Sequence, residues 1–315
     1  MQNVTIRELA AACGVSISTV SKALHRSERI SEETIKKIEA KAAELGYIGN
    51  HAARTLSHGR RTVAVVLPTA AAEAERYRIG LEAAAPLAEA YGLSLCEKMP
   101  EEAGRCDAVL AHASVPLPRL DGIPLVTLGG RSQALRPTAE CMPDFRVGGR
   151  LAAQFLGFAT GGGVTAVVAA RRGGYAEEEA IRGFRELSAK LGTTVAAVVE
   201  CGDSTRTAGV ELRRFLSATP RLRGLFLVSP LVAPVTAALA EARKKLSVVA
   251  ADFTRPAVDA LRTGGVAALL YPAPERQAEL AVHALGEIFA KGHTDELRPV
   301  RQELVLRSNL ESYLL

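Results

Sequence analysis

Three helix-start signals fall within the first 46 residues, and a compact helical bundle is the fold that satisfies all of them. Thr5 with Glu8 forms a capping box, with Val4 and Leu9 at the hydrophobic-staple positions. Ser16 is the next N-cap, flanked by Val15 and Val20, and Ser31 is the third, flanked by Ile30 and Ile35. Gly46 then stops the third helix after Leu45. Periodicity places Ile6, Leu9, Ala10, Val20, Leu24, Ile35, Ile38 and Leu45 inside, and Gly14 supplies a turn between the first two helices.

The second helix carries the chemistry. With Val20, Ala23 and Leu24 inward, its outer face presents Ile17, Ser18, Ser21, Lys22 and, just beyond, His25. These side chains are short enough to let the helix lie in a DNA major groove, where Lys22 can donate to guanine and the serines to a base or a phosphate. The alternative is a solvated face on a structural bundle. Charge placement bears on the choice: residues 1–62 hold ten Lys/Arg against six Glu, so +4 of the net +5 sits at this end, where it can neutralise phosphates.

The runs Val4-Thr5-Ile6, Ala10 to Ser16 and Ser18-Thr19-Val20-Ser21-Lys22-Ala23-Leu24 resemble the headpiece of the LacI/GalR family of bacterial transcriptional regulators. So do Ile30 to Thr34, Glu44 to Tyr47, and Asn50. The resemblance implies that Thr5, Ser16, Ile17, Ser18, Thr19, Ser21, Lys22 and His25 line the DNA-facing side. Lys22 departs from the Arg usual in the family and lacks its bidentate fork. Residues 47–61 read as a hinge with a short helix from Asn50 to Gly59, too short to be stable alone. The family implies that paired hinge helices enter the minor groove, with Asn50, Ala53 and Arg54 near the DNA and Leu56 wedged between base pairs. A plain linker is the other reading of this stretch.

From Thr62 onward buried strands alternate with amphipathic helices, the pattern of parallel sheets covered by helices. Strands are expected at 63–67, 93–96, 108–110, 125–128, 164–169, 194–199, 224–228, 247–251 and 267–271. Helices are expected at 76–91, 144–158, 177–191, 205–218, 231–244, 255–263 and 274–291. This body resembles the two-lobed, periplasmic-binding-protein-like sensor of the same regulators, through Asp144 to Gly149, Arg182-Gly183-Phe184, Val248 to Asp252 and Glu303 to Asn309. The resemblance implies three chain crossings, placed near 160, 271 and 298, with one lobe at 62–159 and 272–297 and the other at 160–271 and 298–315. Only eleven residues separate Cys96 from Ala108, so the family's crossover helix there is expected to be shortened or lost.

A cleft between the lobes is the expected effector site, outside the carboxyl ends of the strands. Asp252 is the candidate acceptor for sugar hydroxyls, with Asp144 a second candidate or a helix cap. Ala180, Ser229 and Tyr271 stand at or beside positions where sugar-binding members carry Arg, an Asn-Asp pair and a Gln, the last aligning with Pro272. The effector is therefore expected to be sugar-like or atypical, and no cofactor is expected.

Other classes fit less well. Five widely spaced cysteines form no C-x-x-C pattern, which suits a reducing cytoplasm, and no histidine pair has ligand spacing. There is no P-loop and no G-x-S-x-G, and Gly161-Gly162-Gly163 precedes a strand instead of following one, the wrong context for a dinucleotide fold. No segment reads as a signal peptide or bilayer span. An enzyme or a transport protein is thus disfavoured. The expectation is a cytoplasmic homodimeric repressor, with double-stranded operator DNA and a small molecule as partners.

Overall fold

The computed structural model describes residues 4, 6–24, 30–45, 60–69, 71–132, 136–202 and 204–314. Three helices form the N-terminal bundle: α1 (Ile6–Cys13), α2 (Ile17–Leu24) and α3 (Glu32–Leu45). Leu9, Ala10, Cys13, Val20, Ala23, Ile38 and Ala42 make its core, and the staple residues Val15, Ile30 and Ile35 pack against it. Ser16 Oγ accepts the Thr19 amide at 3.0 Å and Ser31 Oγ the Thr34 amide at 3.4 Å, as the caps require. Gly14 takes φ +68° in the α1–α2 turn, a conformation costly for other residues. The cap expected at Thr5 and the stop at Gly46 lie outside the described residues.

The body holds two six-stranded sheets. The first runs in the order β11-β5-β4-β3-β1-β2 and is built from β1 (Arg61–Val66), β2 (Leu93–Glu97), β3 (Ala108–His112), β4 (Leu125–Leu128), β5 (Ala139–Pro143) and β11 (Leu297–Val300). The second runs β12-β10-β9-β8-β6-β7, from β6 (Val164–Ala169), β7 (Val195–Glu200), β8 (Leu222–Leu227), β9 (Ser247–Ala250), β10 (Ala268–Tyr271) and β12 (Glu303–Val305). All pairings are parallel except β10 with β12. Mainly apolar strands buried along their length, such as Val164–Ala169, suit sheets covered on both faces.

The covering helices are α4 (Ala71–Ala83), α5 (Ala85–Ala90), α6 (Phe145–Ala159), α7 (Tyr175–Lys190), α8 (Thr205–Ala218), α9 (Val232–Glu241), α10 (Arg255–Thr263) and α11 (Pro274–Lys291). The single helix expected at 76–91 is two, because Pro86 has no amide to continue the α4 ladder and its ring crowds the carbonyl four residues back. Between β2 and β3 stands only a 3-10 segment, Pro100–Arg105, in place of a crossover α-helix. Three strands were not expected. β5 contains Glu140 and Pro143, β11 contains Pro299, and β12 is three residues long, so none gives a clear strand signal of its own.

The crossings differ from expectation in two places. α6 buries Ala152, Ala153 and Leu156 among Val167, Ala169 and Phe226 of the second sheet, so the chain changes lobe at Asp144 and not near 160. β11 pairs with β5 from Leu297↔Glu140 to Val300↔Pro143, which moves the third crossing from 298 to Arg301-Gln302. The second crossing is Pro272-Ala273, between β10 and α11. The crossings are knit together. The Asp144 amide donates to Val300 O at 2.7 Å, and Gln277, fully buried, donates to Pro272 O and accepts the Gly129 amide, each at 2.8 Å.

Candidate DNA interface and interlobe cleft

On α2 the cap geometry decides which side chains remain available. Ser16 is spent on the helix start, its Oγ bonded to the Thr19 amide and, at 2.8 Å, to Thr19 Oγ1. Beyond it Ile17, Ser18 and Lys22 stand exposed, while Val20 and Ala23 on the opposite side are fully buried. Ile17 is 44% exposed, unusual for so apolar a side chain and suited to contact with a base methyl. The described part of the face therefore offers one cation, one free-standing hydroxyl and one apolar contact. The Ser21 side chain and all of Thr5, His25, Asn50, Ala53, Arg54 and Leu56 lie outside the described residues.

Four candidate effector residues stand at the carboxyl ends of strands, Asp144 after β5, Ser229 after β8, Asp252 after β9 and Tyr271 closing β10, and they fare unequally. Asp144 caps α6, accepting the Val147 amide at 3.0 Å. Ser229, 3% exposed, accepts the Ala170 amide at 3.0 Å and ties the ends of β8 and β6. Asp252 accepts the Thr254 amide at 2.9 Å and the Thr254 hydroxyl at 3.2 Å. Burial raises its pKa, against the lowering effect of those two bonds. Ala180 is a correction: it packs in the second lobe's core, 5% exposed, with its carbonyl where α7 meets Gly149 of α6, and is not open to a ligand.

Tyr271 sits at the centre of a cluster. Its hydroxyl donates to Glu275 at 2.6 and 2.7 Å and accepts from Arg76 Nη1 at 3.2 Å. Burial and the Glu275 carboxylate push its pKa up. Phe253 and Tyr313 pack on its ring at centroid distances of 4.8 and 4.9 Å. Arg76 spans the lobes: it lies on α4, while its guanidinium stands 4.9 Å from the Phe253 centroid and 5.6 Å from that of Tyr271. A second bridge joins Arg131, beyond β4, to the Tyr175 ring of α7 at 4.6 Å, with Glu140 holding the guanidinium at 2.9 Å. Deeper in the first lobe His112 rests on Gly129, whose φ of +84° and lack of a side chain admit the ring. Burial pushes the His112 pKa down to about 4. Among the described residues no three His, Cys, Asp or Glu side chains group as a metal site, and no helix is long and apolar enough to cross a membrane.

Residues 5–50 match the family of bacterial regulatory proteins of the lacI type, and residues 120–293 match a periplasmic binding protein domain. The chain is 31% identical over 256 residues to the HTH-type transcriptional regulator CelR of Thermobifida fusca, covering 72% of this chain and 74% of that one. This chain belongs to the LacI family. Its headpiece and two-lobed body are those of a DNA-binding transcription regulator and not of an enzyme. A shorter match is to the lactose operon repressor of Escherichia coli, 31% identical over 104 residues, 33% of this chain and 29% of the repressor.

The LacI-family body also shares its fold with solute-binding proteins. AraP, an arabinose binding protein from Geobacillus stearothermophilus, superposes with a TM-score of 0.70 at 17% identity, covering 81% of this chain and 100% of that one. An ABC transporter solute-binding protein from Burkholderia graminis, in complex with D-arabinose, gives 0.63 at 21% identity, with 81% and 98% covered. Within this LacI-family cleft, sequence reasoning found Tyr271 but missed Arg76, Phe253, Glu275 and Tyr313. Arg76 lies 195 residues from Tyr271, and no local pattern could have paired them.

Proposed function

We propose that this LacI-family chain is a repressor that binds a near-palindromic operator as a homodimer and is modulated by a small molecule taken into the interlobe cleft. The exposed face of α2, with Ile17, Ser18 and Lys22 beside a capped N-terminus, carries the reading. A helix of this kind enters the major groove N-terminus first, and two copies at fixed spacing read two half-sites. Thr5, Ser21 and His25 would contribute around Lys22, while Ser16 and Thr19, bonded to each other at the helix start, would hold α2 in place for it. Asn50, Ala53, Arg54 and Leu56 would serve in the minor groove at the centre of the operator. The protein would act in the cytoplasm, where its DNA is.

The effector is proposed to be a carbohydrate or a carbohydrate-like molecule held near Asp252, Ser229 and Tyr271, with Asp144 supporting from its cap position. The solute-binding relatives of the fold, one of them in complex with D-arabinose, support that class. The engaged state of Ser229 and Asp252 favours a ligand that differs from the sugars of members with Arg, Asn and Gln at the corresponding positions. Selection of random duplex DNA by the purified full-length protein, without added ligand, tests the reading. The expected result is an enriched palindrome with a C·G-rich centre, lost on adding the effector. Enrichment of a single unpaired half-site would overturn the homodimer. Absence of any enriched sequence would overturn the ligand-free repressor.

A further inference from the structure

The group between the lobes has the composition of a receptor for an organic cation. Phe253, three residues past the end of β9, and Tyr271, closing β10, are inclined at 72° with centroids 4.8 Å apart. Tyr313 packs on both, at 4.9 and 6.4 Å. The Glu275 carboxylate stands 4.0 Å from the Arg76 guanidinium. Aromatic faces attract a cation through their quadrupoles, most strongly where water is excluded, and a carboxylate completes the charge balance. Arg76 supplies the cation from within the chain. It is 16% exposed, stacked near two rings, and donates to Tyr271 Oη at 3.2 Å and to the Tyr313 carbonyl at 3.1 Å. In a chain with only 4% aromatic residues and no Trp, two rings face this one guanidinium and a third packs on both of them.

We propose that Phe253, Tyr271, Tyr313 and Glu275 form a cation-binding site filled by Arg76, and that the effector carries a guanidinium or amine that takes Arg76's place. This rests on the effector reading above and deepens it to a chemical class. The rings belong to the second lobe, whereas Arg76 and Glu275 belong to the first, so displacement both fills the site and removes a tie between the lobes. A tethered occupant competes as though present at millimolar concentration or above, so a bare cation binds the intact protein weakly. A ligand that prevails needs further contacts, and Asp252, adjacent to Phe253, is placed to accept from hydroxyls. An aminated sugar has both features.

Calorimetric titration of methylguanidinium, with methylurea as its neutral isostere, into wild type, Arg76→Ala and Arg76→Ala/Phe253→Ala at constant ionic strength tests this. Arg76→Ala is expected to bind methylguanidinium saturably, roughly tenfold or more tighter than wild type does. Methylurea should bind more weakly than the cation, and the double variant should lose the gain. Should Arg76→Ala not fold, Arg76→Met keeps the stem and carries the same comparison. Equal binding of cation and isostere, or undiminished binding by the double variant, overturns the site. Operator binding is a separate arm. If Arg76→Ala binds the cation but its operator affinity ignores it, the site stands and the effector reading falls.

Discussion

Gly149→Ala should destabilise the body, against the usual direction for glycine in a helix. In a helix interior Ala is favoured over Gly by about 1 kcal/mol. Here a Cβ on Gly149 would lie 2.0 Å from Ala180 O and 2.8 Å from the Phe184 amide nitrogen. The obstacle is backbone, so α7 must retreat by about 1 Å to reach even the closest contact real Cβ atoms make. The seam resists on both sides. Gly183 stands reciprocally against α6, where a Cβ would meet Arg146 O at 2.0 Å. Phe184 stacks on Phe226 at 5.2 Å, and Glu186 binds both Arg146 and Arg150 across the seam.

Overpacking a well-filled interior costs about 1–3 kcal/mol, and displaced backbone belongs at the upper end. After the propensity gain, a net loss of about 1–2 kcal/mol remains, worth roughly 2–8 °C in melting temperature for a body of this size. Gly157→Ala on the same helix is the control. Its Cβ would meet Leu191 Cδ1 at 3.3 Å, a side chain 46% exposed and free to turn, so that variant should keep the gain. Urea unfolding followed by far-ultraviolet circular dichroism measures both. A Gly149→Ala protein as stable as wild type, or shifted in the same direction as Gly157→Ala, refutes the close approach of α6 and α7.

Three further outcomes are expected. Lys22→Ala should relax selectivity at one base pair per half-site by roughly 1–3 kcal/mol, read by repeating the duplex selection; an unchanged preferred sequence would confine Lys22 to phosphate. Leu56→Ala should weaken specific binding far more than nonspecific binding in mobility-shift titrations, and equal losses would remove the wedge. His112, depressed to about 4 by burial, is neutral in the fold while the unfolded chain takes up a proton below its ordinary value of 6.5. Stability should therefore fall as pH drops from about 6.5 towards 4, by up to about 3 kcal/mol, and His112→Gln should flatten that slope in urea titrations.

What could be read from the sequence was what repeats locally. Caps and staples placed α2 and α3, and runs such as Val164–Ala169 announced themselves as buried strands. β5 escaped because Glu140 is acceptable inside only with Arg131 at hand, a partner that no periodicity reveals. The misplaced crossings have the same root. Amphipathic spacing shows that α6 has a buried face, but not which sheet receives it. The α2 face was legible because one helix contains it. The cleft was not, because Arg76, Phe253, Tyr271 and Tyr313 come from four segments far apart in the chain.

The way the body begins bears on how a cleft event could reach DNA. Arg60 pairs with Glu89 at 2.5 Å, Arg61 with Asp107 at 3.5 Å, and the Arg61 guanidinium lies 5.4 Å from the Phe289 centroid. The Thr62 amide donates to Asp107 at 2.7 Å. The point where the chain leaves the hinge is thus fixed to the first lobe, and in the proposed homodimer the two copies' exit points would shift only as their first lobes shift. Arg76 ties that same lobe to the rings of the second, so a ligand that replaces it acts on the arrangement setting the exit spacing. A tenfold preference for one lobe arrangement is worth about 1.4 kcal/mol, and by linkage operator DNA must alter the ligand's affinity by the same factor. A cleft ligand that binds equally with and without saturating operator therefore cannot be the effector, however tightly it binds.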